Sequence, residues 1–112
     1  MIHTASWFNK QDWKGISISV SLSTPKGLIA DTELSCFKPT WDIVRALQAN
    51  TITWEEYKDK YIAILNRVDI DFSTLNNGEH TLLCWEKTPE RCHRSLLAGW
   101  LKEKDIDVGQ VR

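Results

Sequence analysis

Between Cys84 and Arg94 the chain gathers two thiols, two carboxylates, an imidazole and two guanidiniums. An apolar run from Thr81 ends in Cys84, Trp85 and Glu86, and Thr88 and Pro89 read as the start of a helix, with Thr at the N-cap and Pro in the first turn. Cys92, His93 and Arg94 would then fall in that helix's opening turn. Side chains alternate along a strand, so Leu82, Cys84 and Glu86 share one face while Leu83 and Trp85 share the other. His93 precedes Leu97 by four residues and Leu96 by three, which puts it at the edge of the buried helical stripe, pointing back toward the strand tips. Cys84, Glu86, Cys92 and His93 are therefore expected to converge, flanked by Arg91 and Arg94.

Three chemistries suit this set. A helix N-terminus with Arg91, Arg94 and the Ser21 hydroxyl nearby can bind a phosphate or carboxylate, and this ranks first. Second is thiol chemistry: Cys92 has a helix N-terminus, arginines and an adjacent His93, each favouring thiolate, with Glu86 to orient or act as base. Metal binding by Cys84, Cys92 and His93 ranks third, because these are three donors where a closed site takes four. A Cys-x7-Cys-His spacing is also not a recurrent zinc pattern. No metal ligand set and no cofactor is assigned from the sequence. The plainest alternative is a structural staple, in which the thiols pack and the arginines are solvated.

These residues need a scaffold. Period-two alternation from Gly15 to Thr24 sets Ile16, Ile18, Val20 and Leu22 against Ser17, Ser19, Ser21 and Ser23, predicting a strand ended by Pro25 and Gly27. The serine side is either a weakly polar exposed face or one that lets another element approach closely. Ile2 to Trp7 reads as a first strand, Lys26 to Pro39 as a long loop, and residues 39–49 as a helix with an apolar stripe of Trp41, Val44, Ala46 and Leu47. Thr53 and Glu56 form a capping-box pattern opening a second helix that runs to about Asn66. A strand from His80 to Trp85, a helix from Thr88 to about Lys104 and a strand from Asp105 to Val111 complete the order β, β, α, α, β, α, β. The fold expected is a single α/β domain over residues 1–112, three-layered, with a mainly parallel sheet and flanking helices. Ile18, Val20, Leu82, Leu83, Leu97 and Trp100 are its expected core. Of six tryptophans, Trp7 and Trp85 sit at strand ends and are candidates for stacking on a flat ligand.

Composition narrows the class. A formal net charge of −1 gives no bulk attraction to nucleic acid, although a local basic patch would still permit it. No apolar run approaches a membrane span, the first residues do not read as a signal peptide, and three cysteines argue against a disulfide framework. A cytoplasmic protein is expected. Cys36 reads as a packing thiol.

At Leu82 to Glu86 and Cys92 to Arg94 the chain resembles the bacterial and phage family known as domain of unknown function 488. That family's pattern is an apolar strand ending in Cys-x-Glu, a Pro-containing turn, then Cys-His-Arg. The resemblance continues upstream in Gly15 to Ser19, Lys38 to Asp42 and Ile52 to Tyr57, and so covers nearly the whole chain. Members often carry an Arg after the second strand's serine, where this chain has Val20 and Ser21, with Lys26 the nearest cation. The resemblance implies a compact three-layer α/β fold with its site at the Cys-x-Glu and Cys-His-Arg junction, and no particular reaction. Taken together, the expectation is an enzyme-like domain that binds a phosphorylated or nucleotide-type small molecule. The alternative is a non-catalytic interaction module with the motif as its strand–helix staple. A polar cavity above Cys84 and Glu86 would favour the enzyme.

Overall fold

The computed structural model describes residues 1–86 and 92–112. Its sheet has five strands: β1 (Ile2–Ser6), β2 (Ile16–Ser19), β3 (Thr32–Glu33), β4 (His80–Cys84) and β5 (Val108–Val111). They lie in the order β3-β2-β4-β1-β5, and every pairing is parallel. Among the described residues three α-helices accompany them: α1 (Trp41–Gln48), α2 (Trp54–Leu65) and α3 (His93–Glu103). The expected α/β class and mainly parallel sheet are what the chain forms.

Strand order explains where the helices go. From β1 to β2 to β3 the chain steps one way across the sheet; from β3 to β4 to β5 it steps back the other way. Right-handed crossovers in opposite directions fall on opposite faces. The described α-helices occur only in the returning connections, so all three pack on one face. There Ile2, Ile18, Val20 and Leu82 meet Ile43, Tyr57, Tyr61, Leu65, Leu97, Trp100 and Leu101. Each fully buried leucine in this layer contributes about 1.5–3 kcal/mol. The opposite face has no α-helix among the described residues. Ala5, Trp7 and Leu83 are covered there by Trp13, Leu28 and Ala30, so the third layer is built from connecting segments.

The serine stripe of β2 faces that side, and Ser17, Ser19 and Ser21 are all buried. Close approach, rather than exposure, is the reason for their size. Ser17 exchanges hydrogen bonds with Asp31 at 2.8–3.2 Å, anchoring the crossing loop. All six residues expected in the core are buried.

Several boundaries differ from the sequence reading. β2 stops at Ser19, not Thr24, because groups outside the ladder recruit its continuation. The Val20 carbonyl accepts from a histidine ring, and Ser21 Oγ accepts from Trp7 Nε1 at 2.9 Å while donating to the Ser23 carbonyl at 2.7 Å. Ile16, at the strand's start, is 47% exposed and not a core member. The loop from Lys26 to Pro39 contains the two-residue β3 and a 3₁₀ turn, Ser35–Phe37, whose Phe37 is buried. Thr53 and Glu56 close the capping box as read, with both bonds at 3.1 Å. The described helix α3 begins at His93 with Cys92 as its N-cap; the expected helix start at Thr88 and Pro89 lies outside the described residues.

Candidate functional site

In a parallel sheet, ligands bind beyond the carboxyl ends of strands whose outgoing connections leave on opposite faces. β2 and β4 are such neighbours: β2 leads to β3 across the helix-free face, and β4 leads into α3. At their C-terminal tips is a cavity of about 180 Å³. Ser21, Ser23, Cys84, Glu86 and His93 line its base, and Trp41, Tyr57 and Trp85 its aromatic wall.

Cys84 is the last residue of β4 and, by strand parity with Leu82, faces the helices. Its Sγ lies 3.1 Å from Glu86 Oε2 and 3.3 Å from His93 Nδ1. Cys92 Sγ lies 3.1 Å from the same carboxylate oxygen. His93 Nε2 donates to the Val20 carbonyl at 2.8 Å, which fixes the ring across the end of β2 and turns Nδ1 toward Cys84. Tyr61 meets the ring edge-on, with centroids 5.4 Å apart. Thus β2, β4 and the first residues of α3 each contribute one part of a single cluster.

Arg94 is fully buried. Its Nη1 donates to Cys92 Sγ at 3.2 Å and its Nε to the main-chain oxygen of Arg112 at 2.8 Å. Nη2 has no partner among the described residues. A buried guanidinium needs an anion, and the sulfur of Cys92 is the group placed to supply it. The expectation that Arg94 would hold a ligand's anion gives way to this: the side chain serves Cys92 from behind and is not on the cavity wall. Ser21 is on the wall, but its hydroxyl is already shared between Trp7 and Ser23. Arg91 lies outside the described residues.

The two thiols diverge in acidity. Burial, first, and then the neighbouring Cys92 and Glu86 push Cys84 well above the usual thiol range, so it stays protonated. Cys92 is lowered to about 6: the hydrogen bond from Cys84 leads, and His93 adds to it, against burial and the charge of Glu86. Burial works to raise Glu86, but hydrogen bonds from Cys84 and Cys92, its own backbone amide and the charge of His93 outweigh it and hold the carboxylate ionised. Tyr57 is pushed above its ordinary range, chiefly by burial and then by these same anionic groups, so the phenol keeps its proton.

Of the tryptophans singled out from the sequence, Trp85 reaches the cavity, with its Nε1 tied to the Ser23 carbonyl at 2.7 Å and its ring edge-on to Phe8. Trp7 instead lies beneath the opposite face. Trp41 was read as a helix core residue and is on the cavity wall, 47% exposed, with the Arg45 guanidinium 5.2 Å from its ring centroid. Its place at the first residue of α1, two residues after Pro39, was the available signal. Cys36 packs partly buried against the main core, and burial raises its pKa.

The family model described as the active DUF488-N3 subclade matches residues 2–105. The chain belongs to the DUF488 family. No curated protein and no solved structure matches it. In this DUF488 domain the Cys-x-Glu and Cys-His-Arg segments are thus the two halves of one cluster, joined across the β4–α3 junction. Among the described residues, no helix is long and apolar enough to cross a membrane.

Proposed function

We propose that this domain is an enzyme acting on a small planar ring, of the kind found in a nucleobase or nucleoside, with Cys84, Glu86 and His93 as the groups that meet it. The observation that carries this reading is the cavity itself. A motif serving only as a staple between strand and helix needs no space above it, yet Cys84, Glu86 and His93 all open onto a cavity of about 180 Å³ walled by Trp41, Tyr57 and Trp85. That volume falls below the roughly 300–1,000 Å³ usual for pockets that enclose a drug-sized ligand. It suits one ring system, or one base of a larger molecule. The aromatic wall favours a flat partner, and the Tyr57 hydroxyl and Glu86 supply the polar contacts that would orient it. The described lining residues are mainly aromatic, aliphatic and small polar side chains, which favours the ring as the part recognised there. The word "active" in the subclade's description agrees with a catalytic role.

Tryptophan fluorescence tests the reading. Nucleobases and nucleosides titrated into the protein should quench emission saturably, and Trp85→Ala should weaken binding about tenfold, in line with one lost stacking contact of about 1–3 kcal/mol. Glu86→Gln should bind with similar affinity while abolishing turnover of whichever ring is the substrate. If no base or nucleoside perturbs the emission or slows alkylation of Cys84, the ring reading is lost.

A further inference from the structure

We infer that Cys84, Cys92 and His93 form a binding site for a single zinc-class divalent cation, with Glu86 holding the fourth position until water or substrate takes it. Three observations lead here. The donor atoms of Cys84, Cys92 and His93 all lie within 4.8 Å of one another. The Glu86 carboxylate, which sequence spacing had not counted as a donor, lies 3.1 Å from both sulfurs. Tetrahedral zinc, with bonds of about 2.3 Å to sulfur and about 2.0–2.2 Å to nitrogen and oxygen, sets its donors roughly 3.5 Å apart. The Cys84–Glu86, Cys84–His93 and Cys92–Glu86 edges, at 3.1–3.3 Å, are within a few tenths of an ångström of that.

The directions of the contacts point the same way. His93 Nε2 donates to the Val20 carbonyl, which turns Nδ1 toward Cys84. Both sulfurs lie against the same Glu86 oxygen. Four potential donor atoms thus converge on one another, and a cation between them would engage all four. With both thiols ionised, the imidazole neutral and Glu86 charged, a divalent ion leaves the cluster at −1. The buried Arg94, 3.2 Å from Cys92 Sγ, brings it to neutrality.

The surrounding contacts match what a bound metal needs. A metal-ligating histidine almost always donates its other ring N–H to a carbonyl or carboxylate, and the Val20 carbonyl does this at 2.8 Å. Two sulfurs, one imidazole nitrogen and an exchangeable oxygen suit zinc better than magnesium or calcium. Cys84, Glu86 and His93 face the cavity, so the open coordination position would point at the ligand. Three protein ligands and one open position is the arrangement of catalytic zinc. A water bound there would give its proton to the displaced Glu86 carboxylate, leaving a metal-bound hydroxide and a neutral carboxylic acid. Zinc enzymes that hydrolyse nucleobases use the same donor types and a glutamate in the same proton-carrying role. Here the set is assembled on a parallel sheet.

Metal binding does not depend on the ring reading, and the test keeps them apart. The full chain, reduced and stripped with chelator, is titrated with Co²⁺ in the absence of any organic ligand. One equivalent should bind, giving a sulfur-to-cobalt charge-transfer band in the near ultraviolet and intense tetrahedral bands in the visible, and Zn²⁺ should abolish both. His93→Gln and Cys84→Ser should each weaken binding by at least about 100-fold. Glu86→Gln should keep the charge-transfer band but alter the visible bands, and Trp85→Ala should leave both unchanged. A folded, reduced wild-type protein that shows no charge-transfer band overturns the proposal. So does a band that persists in His93→Gln. Should Cys84→Ser fail to fold, the wild-type titration and His93→Gln still decide.

Discussion

The two rims of the sheet use the same kinds of side chain differently. At the amino-terminal rim, polar groups serve the backbone. His3 Nδ1 accepts from the Gln110 amide at 3.1 Å, Thr81 Oγ1 bridges the amide and carbonyl of Lys14, and the amino group of Met1 donates to the Gly78 carbonyl at 2.6 Å. Each bond fixes a register or a turn. At the carboxyl-terminal rim, Cys84, Glu86, Cys92 and His93 chiefly address one another, and only the His93–Val20 bond among their side-chain contacts given above reaches the main chain. Groups that satisfy a fold point at backbone. Groups that converge on each other beside a cavity cost stability unless something else makes use of them.

If the carboxyl-terminal rim is a concentrated charge cluster, removing one anion should hurt most. Cys92→Ala leaves the buried Arg94 without its sulfur partner and should lower the unfolding free energy of the metal-free protein by about 3–5 kcal/mol. Urea denaturation measures this; a loss below 1 kcal/mol would mean that Arg94 is neutralised elsewhere. At the other rim the largest effect should come from backbone. Gly15 has φ +68°, and a Cβ there would collide with the Glu79 carbonyl. Gly15→Ala should cost about 2–4 kcal/mol without changing the acid–base behaviour of the cysteines, which alkylation against pH would show.

pH separates the rims further. Cys92 is lowered to about 6 in the folded chain. A depressed acid stabilises the fold fully above its unfolded pKa of about 8.5, and that stability is lost as pH falls through the folded value. On the order of 2 kcal/mol should therefore disappear between pH 9 and 6 in the reduced, metal-free protein, and Cys92→Ser should flatten that limb. His80 at the opposite rim is also lowered, by burial and then by the charged amino terminus. Its contribution is present above its unfolded pKa near 6.5 and fades only at more acid pH. A stability curve without a slope between pH 6 and 9 would contradict the thiolate at Cys92. The smallest effect expected is His3→Gln, about 1 kcal/mol from the weakened bond to Gln110, with Co²⁺ binding unaffected; a change in the cobalt spectrum would show that the rims are coupled.

Much of this could be read from residue order. The alternation in β2, the capping box at Thr53 and the apolar run before Cys84 are local signals, and local physics sets their outcome. The convergence of Cys84, Glu86, Cys92 and His93 was also legible, because parity along a strand and spacing along a helix fix which way side chains point. What was not legible depended on distant partners. β2 ends early because His93 takes the Val20 carbonyl, 73 residues away. Arg94 looked like an exposed anion binder because nothing nearby in sequence says that Arg112 and Cys92 will enclose it. Trp41 looked like core because its helical stripe cannot tell a packed face from a cavity wall. The helices fall on one face because of strand order, which no single element encodes.

The position of β1 has a kinetic consequence. This first strand lies between β4 and β5, with Ile2 paired to His80 on one side and to Val108 on the other. Its neighbours lie far along the chain from it, so the sheet's centre closes only when distant parts of the chain meet. Folding should be slow for a chain of this length, since loop closure precedes the contacts that reward it. The thiol–histidine cluster, drawn from β2, β4 and α3, should appear late, with the sheet itself. A refolding experiment that followed Co²⁺ absorbance beside far-ultraviolet ellipticity would see helix first and metal colour afterwards.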